Sequence, residues 1–173
     1  MRRVKSAAAL FVLWAFQVSL FAHLRPFGVA PDLLLVAALV GGLVAGPYFG
    51  ARHGFIAGLL LDLVTTGPLG LAAGIYGFFA HGIGGAARTV DSDDPRVLPI
   101  LIGVSAFLAT LVYGLGLGVL GSEQFVDFRL VRVAVLVAIY SVALAIPVRA
   151  LLGWALLERH IGARGEAPQT VVN

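Results

Sequence analysis

The stretch "GFIAGLLLDLVTTGPLG", residues 54–70, decides how the chain folds. Glycine and apolar residues run up to a carboxylate, Asp62, and apolar residues resume after it. An acid at the centre of a bilayer costs roughly 2.5–3.5 kcal/mol or more, so its depth matters. The apolar run closes at Thr65, which places Asp62 only about 5 Å from the end of a helix at 1.5 Å rise per residue. A helix C-terminus disfavours an anion, so the carboxylate needs donors. Three sources stand on the same side: Arg25, the backbone N–H groups that open the next helix around Leu69 and Gly70, and the hydroxyls of Thr65 and Thr66. The readings left open are a clasp on the hairpin between two helices, a pair with Arg25, and contact with a partner or ligand at the outer surface.

The rest of the chain has the character of this stretch. It holds 173 residues, 60% hydrophobic and 12% charged, with a mean hydropathy of +0.98. A soluble domain is nearer 45–50% apolar and about 25% charged. The composition therefore describes an integral membrane protein built as a single helix bundle. It contains no cysteine, which excludes disulfides and thiolate metal sites. The basic residues flank apolar runs, so their excess reads as membrane topology and not as nucleic-acid binding.

A crossing helix needs about 20 apolar residues. Runs of this kind cover residues 7–24, 31–46, 48–65, 68–87, 97–120 and 130–157, followed by a polar tail over 158–173. Six spans in an all-α transmembrane bundle is the reading, with Pro147 expected to kink the last one. The start "MRRVK" before an apolar run resembles a signal peptide, but Leu20 in "SLFAH" stands where cleavage wants a small residue. It reads as a retained anchor. With the N-terminus inside, the cytoplasmic side receives Arg2, Arg3, Lys5, Arg52, Arg88, Arg96, Arg149, Arg159 and Arg164. The outer side receives Arg25, Arg129 and Arg132. That asymmetry predicts both termini in the cytoplasm.

Small residues dominate the packing signals. Within lipid, helices associate through close backbone approach, which glycine permits. Gly42 and Gly46, and Gly54 and Gly58, are each four apart. Gly70, Gly74, Gly77, His81 and Gly84 share one face of the fourth helix, and Gly103, Ala106, Thr110, Gly114 and Gly118 form a similar row on the fifth. These rows predict tight packing among helices two to five, and a flat glycine face also suits a helix from another protein. His81 reads as an interfacial hydrogen-bonding residue, a proton relay or a ligand contact. Asp32 opens the second helix, where the dipole favours an anion. Trp14, Trp154, Tyr48 and Tyr113 read as membrane-belt or packing residues.

Nothing in the sequence assembles a catalytic set. His23, His53, His81 and His160 fall on different elements, the serines within apolar runs lack an elbow pattern, and no G-x-x-x-x-G-K-[ST] is present. No cofactor or metal is expected.

One segment resembles a known family. "PDLLLVAALVGGLVAGPYFGARHGFIAGLLLDLVTTGPLGLAA" is similar to the core of the rod-shape-determining membrane protein MreD. The resemblance lies in Pro31-Asp32 opening helix two, in Gly54, Phe55, Gly58, Asp62 and Leu63 as a G-F-x-x-G-x-x-x-D-L run, and in Leu69-Gly70 after a short polar turn. It covers about residues 1–157, with the specific part in 31–71, and "TTGPLG" departs from the Ser-Gly expected before Leu-Gly. The resemblance implies a non-enzymatic scaffold of the cell-elongation machinery. Such a scaffold binds the single-pass protein MreC and helps link MreB filaments to the wall transpeptidase and RodA. The fold also looks like that of the substrate-capture subunits of energy-coupling-factor vitamin transporters, which supplies the alternative function. A capture subunit needs an outward cavity lined by polar and aromatic groups, whereas a scaffold has that space filled. The structural or partner-binding candidates are Asp62, Asp32, Arg25, Gly54, Gly58, Gly70, Gly74 and His81.

Overall fold

The structure is a computed structural model that describes residues 2–19, 26–90, 96–120 and 128–156. The architecture is all-α. Six α-helices occur among the described residues: α1 (Arg2–Ser19), α2 (Leu33–Ala45), α3 (Pro47–Asp62), α4 (Leu71–Ala86), α5 (Val97–Val119) and α6 (Phe128–Leu156), with a short 3₁₀ turn at Pro26–Gly28.

Helix α2 is the hub. Every residue from Leu33 to Gly42 is buried, as its unbroken apolar sequence requires: a helix apolar all round can only be satisfied at the centre of a bundle or in lipid. Around it pack α3, α4 and α6, with α1 and α5 completing the shell. Gly46 alone separates α2 from α3. Its φ of 88° lies in the left-handed region that favours glycine, and Pro47 opens the next helix with its φ already set. The chain therefore reverses within one residue.

Cross-helix contacts fix the directions. Gly54 lies against Tyr76, Gly50 against Ala80 and Gly58 against Ala72, so α3 and α4 are antiparallel. Gly114 faces Leu130 and Gly103 faces Val142, so α5 and α6 are antiparallel too. The starts of α2 and α4 and the end of α3 thus share one end of the bundle. The start of α3 and the end of α4 share the other, which we call the Arg52 end. There α1 also begins, since Ser6 meets His53 while Trp14 meets Leu60 further along.

The helices differ in length. Among the described residues, α5 and the part of α6 over Phe128–Gly153 are the helices long and apolar enough to cross a membrane. Helix α2, with 13 residues, is about 20 Å long at 1.5 Å per residue. Helix α3 ends at Asp62, not at Thr65, and α4 begins at Leu71. The cause lies in how these two ends are capped.

Candidate functional site

Helix α4 starts without a cap of its own. Gly70 occupies the N-cap position at φ 96°, ψ −12°, a left-handed geometry that glycine tolerates, and it has no side chain to offer the orphan N–H groups. Asp62, the last residue of α3, supplies the missing acceptor. Its Oδ2 accepts from the N–H groups of Gly70 (2.9 Å) and Ala73 (3.2 Å), and its Oδ1 accepts from that of Ala72 (3.1 Å). The carboxylate is 3% exposed. It ends one helix and caps the next, so the unfavourable dipole at the end of α3 is offset by the favourable one at the start of α4. Arg25, the other donor considered from sequence, lies outside the described residues.

A second acid does the same work nearby. Asp32 is the N-cap of α2, and its Oδ1 accepts from the Leu35 N–H at 2.9 Å. The Tyr76 hydroxyl of α4 donates to the other oxygen, Oδ2. The next orphan donor of α2, the Leu33 N–H, goes to Gln17 Oε1 of α1 at 2.8 Å, while Gln17 Nε2 donates to the Pro31 carbonyl at 3.0 Å. Trp14, expected as a belt or packing residue, donates its Nε1–H to the Leu60 carbonyl at 3.1 Å and ties α1 to the last turn of α3. Sequence reasoning did not find Gln17 or Tyr76. Gln17 carried a usable signal as the one amide in an apolar run, but nothing in the spacing joins Tyr76 to Asp32, 44 residues apart.

The glycine rows sort into different environments. A Cβ on Gly54 would come within 2.6 Å of the Tyr76 carbonyl oxygen, and one on Gly50 equally close to that of Ala80. On Gly58 it would strike the Ala72 carbonyl, and on Gly42 that of Ala80. Carbonyl oxygens this near a glycine Cα also permit Cα–H···O contacts. The row read on α4 divides: Gly77 and Gly84 face α3 and α2, whereas Gly70 and Gly74 have nothing within 4 Å. His81 is exposed, with the Tyr48 ring edge-on at 5.8 Å. The row on α5 serves α6, through Gly103 and Gly114, more than α4.

Beneath the Gly28–Ala30 turn, a cavity of about 300 Å³ is lined by Asp32, Tyr76, Thr110 and Tyr113 among apolar side chains. This space was expected to be filled in a scaffold, and part of it is open. Its polar groups are nonetheless engaged: Tyr76 with Asp32, Thr110 with the Ala106 carbonyl at 2.8 Å, and Tyr113 with Thr65. Among the described residues no group of three or more His, Cys, Asp or Glu side chains could hold a metal.

The arrangement is a set of cross-helix caps and backbone contacts that fixes helix positions. Comparison with known proteins points the same way. A family model described as rod shape-determining protein MreD matches residues 4–154. Neither a curated protein nor a solved structure gives a significant match. The match takes in both capping acids, the glycines of the α3–α4 interface and all six helices, and on that basis the chain belongs to the MreD family, non-enzymatic membrane proteins that act in determining rod shape.

Proposed function

We propose that the chain is a multi-pass scaffold of the bacterial cell-elongation machinery, in the plasma membrane with both termini cytoplasmic. It holds an MreC-like single-pass protein and through it helps connect MreB with the wall transpeptidase and RodA. The observation that carries this reading is the way the polar groups of the bundle are spent. Asp32, Asp62, Tyr76 and Gln17 all serve to lock helix ends, leaving a rigid block whose outer faces are apolar. Support for the orientation comes from the basic residues at the Arg52 end, where α1 begins and towards which α6 runs, since Val133 and Val137 early in α6 line the cavity with Asp32 at the opposite end. Exposed apolar residues such as Phe78, 72% exposed on α4, offer a surface to a single transmembrane helix. Asp62, Asp32, Gly54 and Gly58 are then structural residues that set the shape of that surface. Gly70 shapes the turn into α4, and Gly74 and His81 lie on its open side.

The open cavity favours a second reading, a capture subunit for a small molecule. Its volume stands at the lower limit of ligand pockets, about 300–1,000 Å³, and its polar groups are already paired.

Depleting the chain from its own cells separates the two. The scaffold predicts rounded or swollen cells, or altered tip growth in a tip-growing host, and co-purification of an MreC-like protein. Normal shape with lost vitamin uptake, or a vitamin retained through purification, would transfer the function to capture. Reporter fusions at Asp93 and Glu123 test the orientation independently, and the same side for both would refute it.

A further inference from the structure

Helices α1 and α3 run side by side without closing on each other. They meet where Ser6 Oγ lies 3.3 Å from His53 Nδ1 and where Trp14 bonds to Leu60. Between them lies a groove of about 850 Å³, walled by Leu10 and Phe11 of α1 and by Phe49, Ile56 and Leu60 of α3. Phe11 is 61% and Ile56 50% exposed, so the groove opens sideways. His53 lines it too, only 4% exposed, and its Nε2 finds no hydrogen-bond partner.

The charge at the groove is one-sided. Arg52, exposed, stands at its rim. The other end, at Leu10 and Leu60, is apolar. A lengthwise apolar trough with a cation at one mouth is complementary to an amphiphile with an anionic head and hydrocarbon tails. A transmembrane helix would fill the trough equally well, but an apolar helix would gain nothing specific from a cation at one mouth.

We propose that the α1–α3 groove is a binding site for an anionic phospholipid, its acyl chain along Leu10, Phe11, Ile56 and Leu60 and its phosphate at Arg52. The site rests on the membrane location of the chain and not on its place in the elongation machinery, nor on which way the bundle faces.

The test uses the full chain with Trp154→Phe, which leaves Trp14 as the sole tryptophan, one turn along α1 from Leu10. The protein is placed in phosphatidylcholine vesicles containing a minor fraction of phosphatidylglycerol, with brominated acyl chains on one lipid or the other. Bound anionic lipid predicts that, at equal fraction, brominated phosphatidylglycerol quenches Trp14 more strongly. Arg52→Gln should lower its relative affinity about fivefold, the effect of one basic side chain near a membrane surface. Ile56→Trp, combined with Trp14 quenching in a Trp14→Phe control to subtract its own signal, should reduce quenching by both lipids because it fills the trough. Equal quenching by the two lipids, or an unchanged preference in Arg52→Gln, would overturn the proposal. Equal quenching by the two lipids that falls when a single-pass protein is reconstituted beside the chain would assign the groove to a helix instead.

Discussion

The α3–α4 and α5–α6 interfaces look alike in sequence and differ in what glycine does there. Both present small residues at helical spacing. At α3–α4, the space that a Cβ on Gly54 or Gly58 would need is taken by the backbone carbonyls of Tyr76 and Ala72. At α5–α6, a Cβ on Gly114 meets the end of the Leu130 side chain, and one on Gly103 meets Val142 Cγ2 at 3.3 Å. A side chain can change rotamer, but a backbone held by its own helical hydrogen bonds cannot move without moving the helix. The first interface is therefore rigid, and the second can adjust.

The sharpest way to break this distinction is Gly58→Val. It drives a branched side chain into the α4 backbone, and overpacking of that kind costs about 3 kcal/mol or more. The folded, detergent-stable fraction should fall steeply. A variant as stable as wild type would show that the two interfaces do not differ in rigidity.

Next comes the cap that holds α3 to α4. Asp62→Leu strands the N–H groups of Gly70, Ala72 and Ala73 and should cost about 1–3 kcal/mol, whereas Asp62→Asn keeps one acceptor and should cost about 1 kcal/mol. Thermal unfolding in detergent measures both. Equal damage from Asn and Leu would mean that the charge matters and not the acceptor, which would favour a cationic partner for the carboxylate. A stable Asp62→Leu that loses an MreC-like protein would make Asp62 a partner-binding residue.

Smaller effects are expected where the surroundings yield. Gly114→Ala requires only that Leu130 shift, and alanine's better helix propensity offsets part of that, so the net cost should stay near or below about 1 kcal/mol. A cost matching Gly58→Val would show α5–α6 to be as rigid as α3–α4. At Gly74, where nothing lies within 4 Å, alanine should be neutral or stabilise by about 0.5–1 kcal/mol through propensity alone. Loss of a co-purifying protein in Gly74→Ala, with stability intact, would place a partner on that face of α4.

Several features were legible in the residues themselves. The membrane class follows from composition, because too few polar groups exist to cover a soluble surface. The all-α bundle follows from the apolar run lengths, because a backbone in lipid must satisfy its hydrogen bonds within each helix. The position of Asp62 near a helix end follows from counting, and Asp32 as a helix opener follows from its side chain, since an acceptor three residues ahead of a free N–H is a local relationship. Which acceptor meets which donor across helices was decided only in three dimensions. The partners of Asp62 lie 8 to 11 residues away through a turn, and that of Asp32 lies 44 residues away on another helix. The glycine rows show the same divide. Spacing marks a face, but whether backbone, side chain or nothing occupies the space above it depends on the neighbouring helix, and a sequence period carries no information about a neighbour's distance.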